Sequence, residues 1–391
     1  MDPTHRVIAV AFWCCVVGVG YAYVAYPVLV SAASRAFGRD PVPPRLPPGR
    51  PPPRVALLIV AYNEAAVIRD RIEDALALDY PPDRRRVVIV SDGSDDGTDD
   101  ICRGYAGRVT LLAFPGRRGK AAALAEAVAR LDDDVLVLSD ANTLMAPSAL
   151  ASLARWFADP SIGVVCGRLV ITDPATGRNA DGLYWRYENR LKQCEARLGA
   201  LLGANGAIYA IRRTAFPPLP PATAVDDFVV PLLARLRTGC GIVYDADAVA
   251  REESAPDLRG EFGRRARIGA GGFIALATLW PLLGPRHGWL SLAFWSHKVL
   301  RWVGPFLMLG ALLSGLALAG HAPYGWVNAS QALFYGLCGA GALPFAKGRR
   351  WRPLRALCMF AAMNLALMVG FFRFLAGAQT GVWQRTSRGR G

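Results

Sequence analysis

The chain has 391 residues, a formal net charge of +14 and 53% hydrophobic residues. It is longer than one ordinary domain, and it is basic and apolar together, which fits a membrane protein with its cationic face in the cytoplasm. Much of its arginine flanks apolar runs instead of forming a basic patch interleaved with exposed aromatics, which sets nucleic acid aside as a partner. Its 8 cysteines form no CxxC and no Cys/His cluster, which sets aside a disulfide framework and a structural zinc.

In chain order, Val7 to Val30 is uncharged and apolar, long enough to cross a bilayer as a helix and longer than the apolar region of a signal peptide. Arg35, Arg39, Arg45 and Arg50 follow, which puts that side in the cytoplasm. Pro41 to Pro53 is a stiff, proline-rich spacer. From Arg54 the pattern becomes alternating. The apolar runs Val55–Ala61, Val87–Ser91, Val109–Ala113 and Val135–Ser139 predict strands, and helical patterns lie between them at Ala65–Leu78, Thr98–Gly104 and Gly119–Leu131. Strand, helix, strand in this rhythm predicts an α/β fold, a mostly parallel sheet covered on both faces. Beyond Gly272 the chain turns apolar again. Ser291–Trp302 reads as an interfacial helix, and Gly304–Gly320, Gly325–Ala346 and Leu354–Leu375 are three apolar runs. Lys347–Arg355 reads as a basic cytoplasmic loop. If the last run spans, Arg385, Arg388 and Arg390 fall on the outer side against the charge rule; a re-entrant run, or Arg373 kept near the surface, removes the conflict. The domains read as an anchor over 1–40, a linker over 41–53, a cytoplasmic domain over 54–272 and a membrane region over 273–391.

The polar residues gather at strand ends, where open α/β sheets bind ligands. After the first strand stands AYNEAAVI, with no GxGxxG for a dinucleotide. Tyr62, Asn63 and Glu64 are suited to reading a base or ribose, or Asn63 caps the helix. After the second strand comes SDGSDDGTDD. Asp92 points to the same sheet edge, while Asp95 and Asp96 read as a capping turn without the spacing of a calcium loop. In RRGKAAAL, Lys120 at a helix start implies a nearby anion such as a diphosphate, or a solvated loop. VLVLSDANT puts Asp140 at the end of the fourth strand, with Asn142 two residues on. LLGANGAIYAIRR, with Gly206, lets backbone approach a ligand closely. AVDDFVVPLLARLRTG carries Asp226 and Asp227 at a helix head, and GRRARIGAGG carries Arg264, Arg265 and Arg267, suited to a diphosphate or to anionic lipid.

In combination these motifs resemble the family-2 glycosyltransferases of the GT-A fold, over about Arg54 to Gly272 and on into the membrane helices. The resemblance implies roles. Tyr62, Asn63, Glu64, Asp92 and Lys120 would bind the nucleotide sugar. Asp140 and Asn142 would stand for the DxD element that holds a divalent cation, Mg2+ or Mn2+. An amide oxygen still suits a hard cation, with one negative charge fewer. Gly206 would lie on the acceptor side. Asp227 would match the catalytic base of the ED motif, with Asp226 in place of its Glu. Arg264 and Arg267 would stand where polymerising members have QxxRW; Ile268 replaces the stacking Trp, a departure that points to few sugars added. The implied function is inverting, metal-dependent transfer from a nucleotide-diphosphate sugar, UDP-linked by resemblance, to a lipid-linked or polysaccharide acceptor at the cytoplasmic face of the membrane. The other readings are a membrane-bound nucleotidyltransferase, whose basic glycine-rich signature AYNEAAVI lacks, and a non-catalytic nucleotide-binding scaffold.

Overall fold

A computed structural model describes residues 2–44, 49–172, 183–220, 222–253, 258–342 and 352–378. Arg45, Lys347–Trp351 of the basic loop, and Arg385, Arg388 and Arg390 lie outside the described residues. The chain divides into two compact units. One comprises Met1–Leu29, Asp257–Leu276 and Phe294–Ala378; the other comprises Val30–Pro256, Ala277–Ala293 and Gln379–Gly391.

The second unit is built on one eight-stranded sheet. Its strands are β1 (Val55–Ala61), β2 (Arg85–Asp92), β3 (Thr110–Phe114), β4 (Val135–Asp140), β5 (Leu144–Met145), β6 (Ile162–Thr172), β7 (Tyr209–Arg212) and β8 (Gly241–Glu253). Their order is β3-β2-β1-β4-β7-β6-β8-β5. The first four strands run parallel, as the alternating sequence requires. All seven residues of β1 are buried, because helices cover both faces, and this is why VALLIVA is apolar without alternation. Residues from β1, β2 and β4 join those of helices Ile68–Leu76 and Ala149–Ala154 in one apolar core.

Register then sets the site. Ala61 lies beside Ser91, and Val60 beside Asp140, so β1, β2 and β4 end level at one edge. β7 runs antiparallel to β4, with Tyr209 opposite Leu138. The segment entering β7 therefore arrives at the end of β4. Ser139 Oγ donates to the Ala207 carbonyl there at 2.8 Å.

The first unit is helical. Among the described residues four helices are long and apolar enough to cross a membrane: Pro3–Phe37, Phe262–Leu283, Trp289–Ala317 and Leu357–Leu375. The second of these is absent from the sequence reading, because Arg264, Arg265 and Arg267 mask its apolar stretch. Ser291–Trp302, read as an interfacial helix, falls inside Trp289–Ala317, and Tyr324–Ala342 forms a further helix. Within this unit small residues permit close helix approach: a Cβ on Gly370 would lie 2.6 Å from the Ala266 carbonyl oxygen. Tyr23 Oη donates to Asn364 Oδ1 at 3.2 Å, which satisfies two polar groups between apolar helices.

Candidate active site

The loops after β1 and β2 are tied together. Asn63 has a φ of 55° and starts no helix, since the next helix begins at Ile68. The capping role is thus replaced by a bridge. Asn63 Nδ2 donates to Asp95 Oδ1 at 2.7 Å, and the Asp95 amide returns a bond to Asn63 Oδ1 at 2.9 Å. The Glu64 amide donates to Thr98 Oγ1 at 2.8 Å and the Ala65 amide to Asp96 Oδ2 at 3.1 Å. Asp96 also accepts from the Thr98 amide at 3.0 Å, so the acidic turn caps its helix and braces the first loop together. Tyr62 receives the Arg117 guanidinium 3.7 Å from its ring centroid, a cation–π contact.

Asp92 is fully buried at the end of β2. Its Oδ1 accepts from the Arg118 amide at 2.8 Å and its Oδ2 from the Gly119 amide at 2.9 Å. Both oxygens thus fix the backbone immediately before Lys120. Gly93 permits the close approach, having a φ of 74° and standing where a Cβ would meet the Arg117 amide nitrogen at 2.7 Å.

Lys120 begins the helix Lys120–Ala129, and the anions it meets are carboxylates of the chain itself. Its Nζ lies 2.9 Å from Asp140 Oδ1 and 3.3 Å from Asp226 Oδ2. Burial opposes the lysine charge, but Asp140 and Asp226 outweigh it and raise the pKa above the ordinary lysine value. Asp226 is buried. Burial raises its pKa, Lys120 lowers it, and Asp227 and Asp140 add to the rise.

Asp226 and Asp227 open the helix Asp226–Thr238, where the helix dipole favours acids. Their surroundings differ. Asp227 is half-buried, and no ion pair to its side chain occurs among the described residues. A Cβ built on Gly206 would lie 3.5 Å from Asp227 Oδ2 and 3.7 Å from Asp140 Oδ2, so both carboxylates converge on this glycine. The Ala204 amide donates to the Asp227 carbonyl at 2.7 Å, which ties the glycine segment to the helix head.

Several contacts at the site were not legible in the motifs. Arg71 is almost fully buried; it donates to Asp74 Oδ2 at 2.6 Å and to Ser139 Oγ at 3.1 Å, behind Asp140. Burial pushes it down to about 10, against the pull of Asp74 and Asp140, so it stays charged at neutral pH. The buried positions Ile68, Arg71, Ile72 and Ala75 repeat at helical spacing, and that period was the available signal. Tyr209 is fully buried on β7, and its hydroxyl has no hydrogen-bond partner among the described residues. Burial, then Asp226, Asp227 and Asp140, pushes its pKa well above the ordinary value. Asn142 donates from Nδ2 to Glu252 Oε1 at 2.9 Å, a contact invisible at that sequence separation.

The strand ends thus bring together Asp140, Lys120, Asp226, Asp227 and Gly206, with Asn142 next to Asp140. Arg264 and Arg267 lie half-buried on helix Leu258–Leu279, in the helical unit. Among the described residues no group of three or more His, Cys, Asp or Glu could hold a metal ion. The donor set at β4 is oxygen-rich all the same: the Asp140 carboxylate, partly exposed, and the amide oxygen of Asn142, whose nitrogen is turned to Glu252. Such oxygens suit Mg2+ or Mn2+.

Residues 56–216 match the family model described as Glycosyl transferase family 2. An N-acetylglucosaminyltransferase of Mesorhizobium japonicum is 28% identical over 291 residues, which cover 69% of this chain and 67% of that protein. A beta-monoglucosyldiacylglycerol synthase of Synechocystis sp. is 31% identical over 170 residues, and there the chain spans only 35% of the relative's length. Among solved structures, a mannosyltransferase from Pyrobaculum calidifontis in complex with GDP-Man and Mn2+ superposes with a TM-score of 0.69 at 22% identity, over 93% of this chain and 99% of that one. At that identity the likeness establishes a shared fold.

Proposed function

We propose that this chain, a family-2 glycosyltransferase of the GT-A fold, transfers one sugar at a time from a nucleotide-diphosphate donor to a lipid-linked or polysaccharide acceptor at the membrane, with inversion at the anomeric carbon. The observation that carries the reading is the convergence of Asp140 and Asp227 on Gly206 at the edge where β1, β2 and β4 end. The half-buried Asp227 carboxylate is free to accept the acceptor hydroxyl proton as that oxygen attacks the sugar. Attack from the face opposite the leaving diphosphate gives inversion. Asp226 differs in role, because its pairing with Lys120 makes it a structural anion of the site. The loop held by Asn63, Asp95, Asp96 and Thr98, with Tyr62 stacked on Arg117, forms the wall for the nucleotide. Asp92 places Lys120 by fixing the amides before it.

Asp140 and the Asn142 amide oxygen would hold a divalent cation. Such an ion supplies charge neutralisation for the departing diphosphate. The mannosyltransferase of the same fold is described with Mn2+. The lipid-acceptor reading draws on the beta-monoglucosyldiacylglycerol synthase relative, and the membrane site on four helices among the described residues that are long and apolar enough to span. UDP-linked donors remain the first choice, by resemblance.

The test is product identity. Detergent-solubilised protein is incubated with Mn2+ or Mg2+, native lipid extract and a panel of nucleotide sugars. Release of a nucleoside diphosphate, with one donor preferred and an inverted glycosidic product, is expected. Release of pyrophosphate instead would replace the reading with nucleotidyl transfer.

A further inference from the structure

Glu252 lies near the end of β8, 110 residues along the chain from Asn142. The two-residue strand β5 follows Asn142 directly and pairs antiparallel with β8, Leu144 opposite Arg251 and Met145 opposite Ala250. The Ala146 amide continues that ladder to the Val249 carbonyl at 2.9 Å. This pairing lays the turn after Asp140 against the end of β8, where Asn142 Nδ2 meets Glu252 Oε1 at 2.9 Å.

The geometry points to Glu252 as the residue that carries, for the cation site, the negative charge missing at position 142. The inference rests on the reading of Asp140 as a cation ligand. An ionised carboxylate only accepts hydrogen bonds, so Asn142 must present its NH2 to Glu252. That turns the amide oxygen away from Glu252, on the same turn as Asp140. An aspartate at 142 would instead set carboxylate against carboxylate at hydrogen-bond distance, where like charges repel strongly. Asn142 and Glu252 therefore act together, with the acid moved from the loop to the facing strand. The pair keeps a hard oxygen at 142 and a carboxylate behind it, in the manner of partners that orient and charge a metal ligand from the next layer. Glu252 is thus a positioning residue acting through Asn142. This explains why Asn can stand where the family has a second Asp: the neighbour on β8 has taken the charge.

The test is Mn2+ affinity of the full-length, detergent-solubilised chain with UDP bound, read by electron paramagnetic resonance of free Mn2+. Glu252→Gln keeps shape and acceptor oxygen while removing the charge, and is expected to weaken Mn2+ by about 10-fold or more. The exchange Asn142→Asp with Glu252→Gln restores one charge to the pair and is expected to recover most of the loss. A contact serving only to pin β5 to β8 predicts wild-type affinity in Glu252→Gln, and that result overturns the inference. Failure of the exchanged pair to bind more tightly than Glu252→Gln alone overturns it as well. Asp140→Ala separates the two levels. Loss there without loss in Glu252→Gln refutes the role of Glu252 alone, whereas unchanged affinity in Asp140→Ala refutes the cation reading and this inference with it.

Discussion

Lys120 Nζ sits 2.9 Å from Asp140 Oδ1, so the cation that opens one crossover helix is paired with the acid that closes the neighbouring strand. Asp226 joins the pair at 3.3 Å. The site thus holds a counter-charge shared by two of its acids before any ligand enters. Replacing Lys120 by Met leaves Asp226 buried without its counter-charge and brings Asp140 and Asp226 into unscreened repulsion. The expected cost is about 3 kcal/mol, the range for breaking a buried pair from one side. The unfolding temperature reports it, and Asp226→Asn in the same chain should recover much of the fall.

Asp227 should behave differently from Asp226. Asp227→Asn keeps the size of the side chain and removes the base. Turnover is expected to fall by about 10²–10⁴-fold, with nucleotide affinity and unfolding temperature close to those of the parent. Steady-state kinetics beside equilibrium nucleotide binding separate the two quantities.

Asp92 holds two backbone amides with two oxygens. Asn in its place offers one oxygen and turns an NH2 toward an N–H, leaving a buried donor unmatched. A loss of about 1–3 kcal/mol is expected, and a weaker hold on donor because Lys120 loses its fixed start. Gly93→Ala should be at least as damaging, since the new Cβ meets backbone at 2.7 Å in a left-handed conformation. Thermal unfolding and donor affinity check both variants.

Arg71→Met removes a buried cation from Asp74 and from Ser139 Oγ. Burial raises the pKa of Asp74 and Arg71 lowers it, so the variant should raise it further. An acid whose folded pKa lies above its unfolded value stabilises the fold below the unfolded pKa, and that contribution is lost as pH rises through the folded pKa. The stability deficit of Arg71→Met is therefore expected to be large at neutral pH and to shrink toward acid pH. A deficit independent of pH would assign the loss to packing alone.

The sheet was readable because its central strands are unbroken apolar runs separated by helical patterns, and VALLIVA and VLVLSD fall within a residue of β1 and β4. The acids at the ends of those strands were readable for the same reason: in a parallel α/β sheet, strand ends share one edge. Three contacts escaped. Asn63 read as a nucleotide contact or a helix cap, and its bond to Asp95 in another loop had no local signal. Arg71 carried no sequence motif, yet it falls on the buried stripe of its helix. Glu252 had no local signature at all, because its contact with Asn142 depends on the pairing of β5 with β8 across more than one hundred residues. Long-range pairing is what periodicity within a segment does not encode. Phe262–Leu283 was missed on different grounds, as arginines one turn apart broke its apolar run.

The most direct measurement is nucleoside diphosphate release by the full-length protein with its preferred donor and lipid extract, comparing the parent with Asp227→Asn at saturating Mn2+ and donor. The expected result is loss of release in Asp227→Asn with donor binding intact, which places the carboxylate facing Gly206 in the chemical step. Parent-like release from Asp227→Asn would contradict the assignment of that carboxylate as the base, and with it the proposed route to inversion.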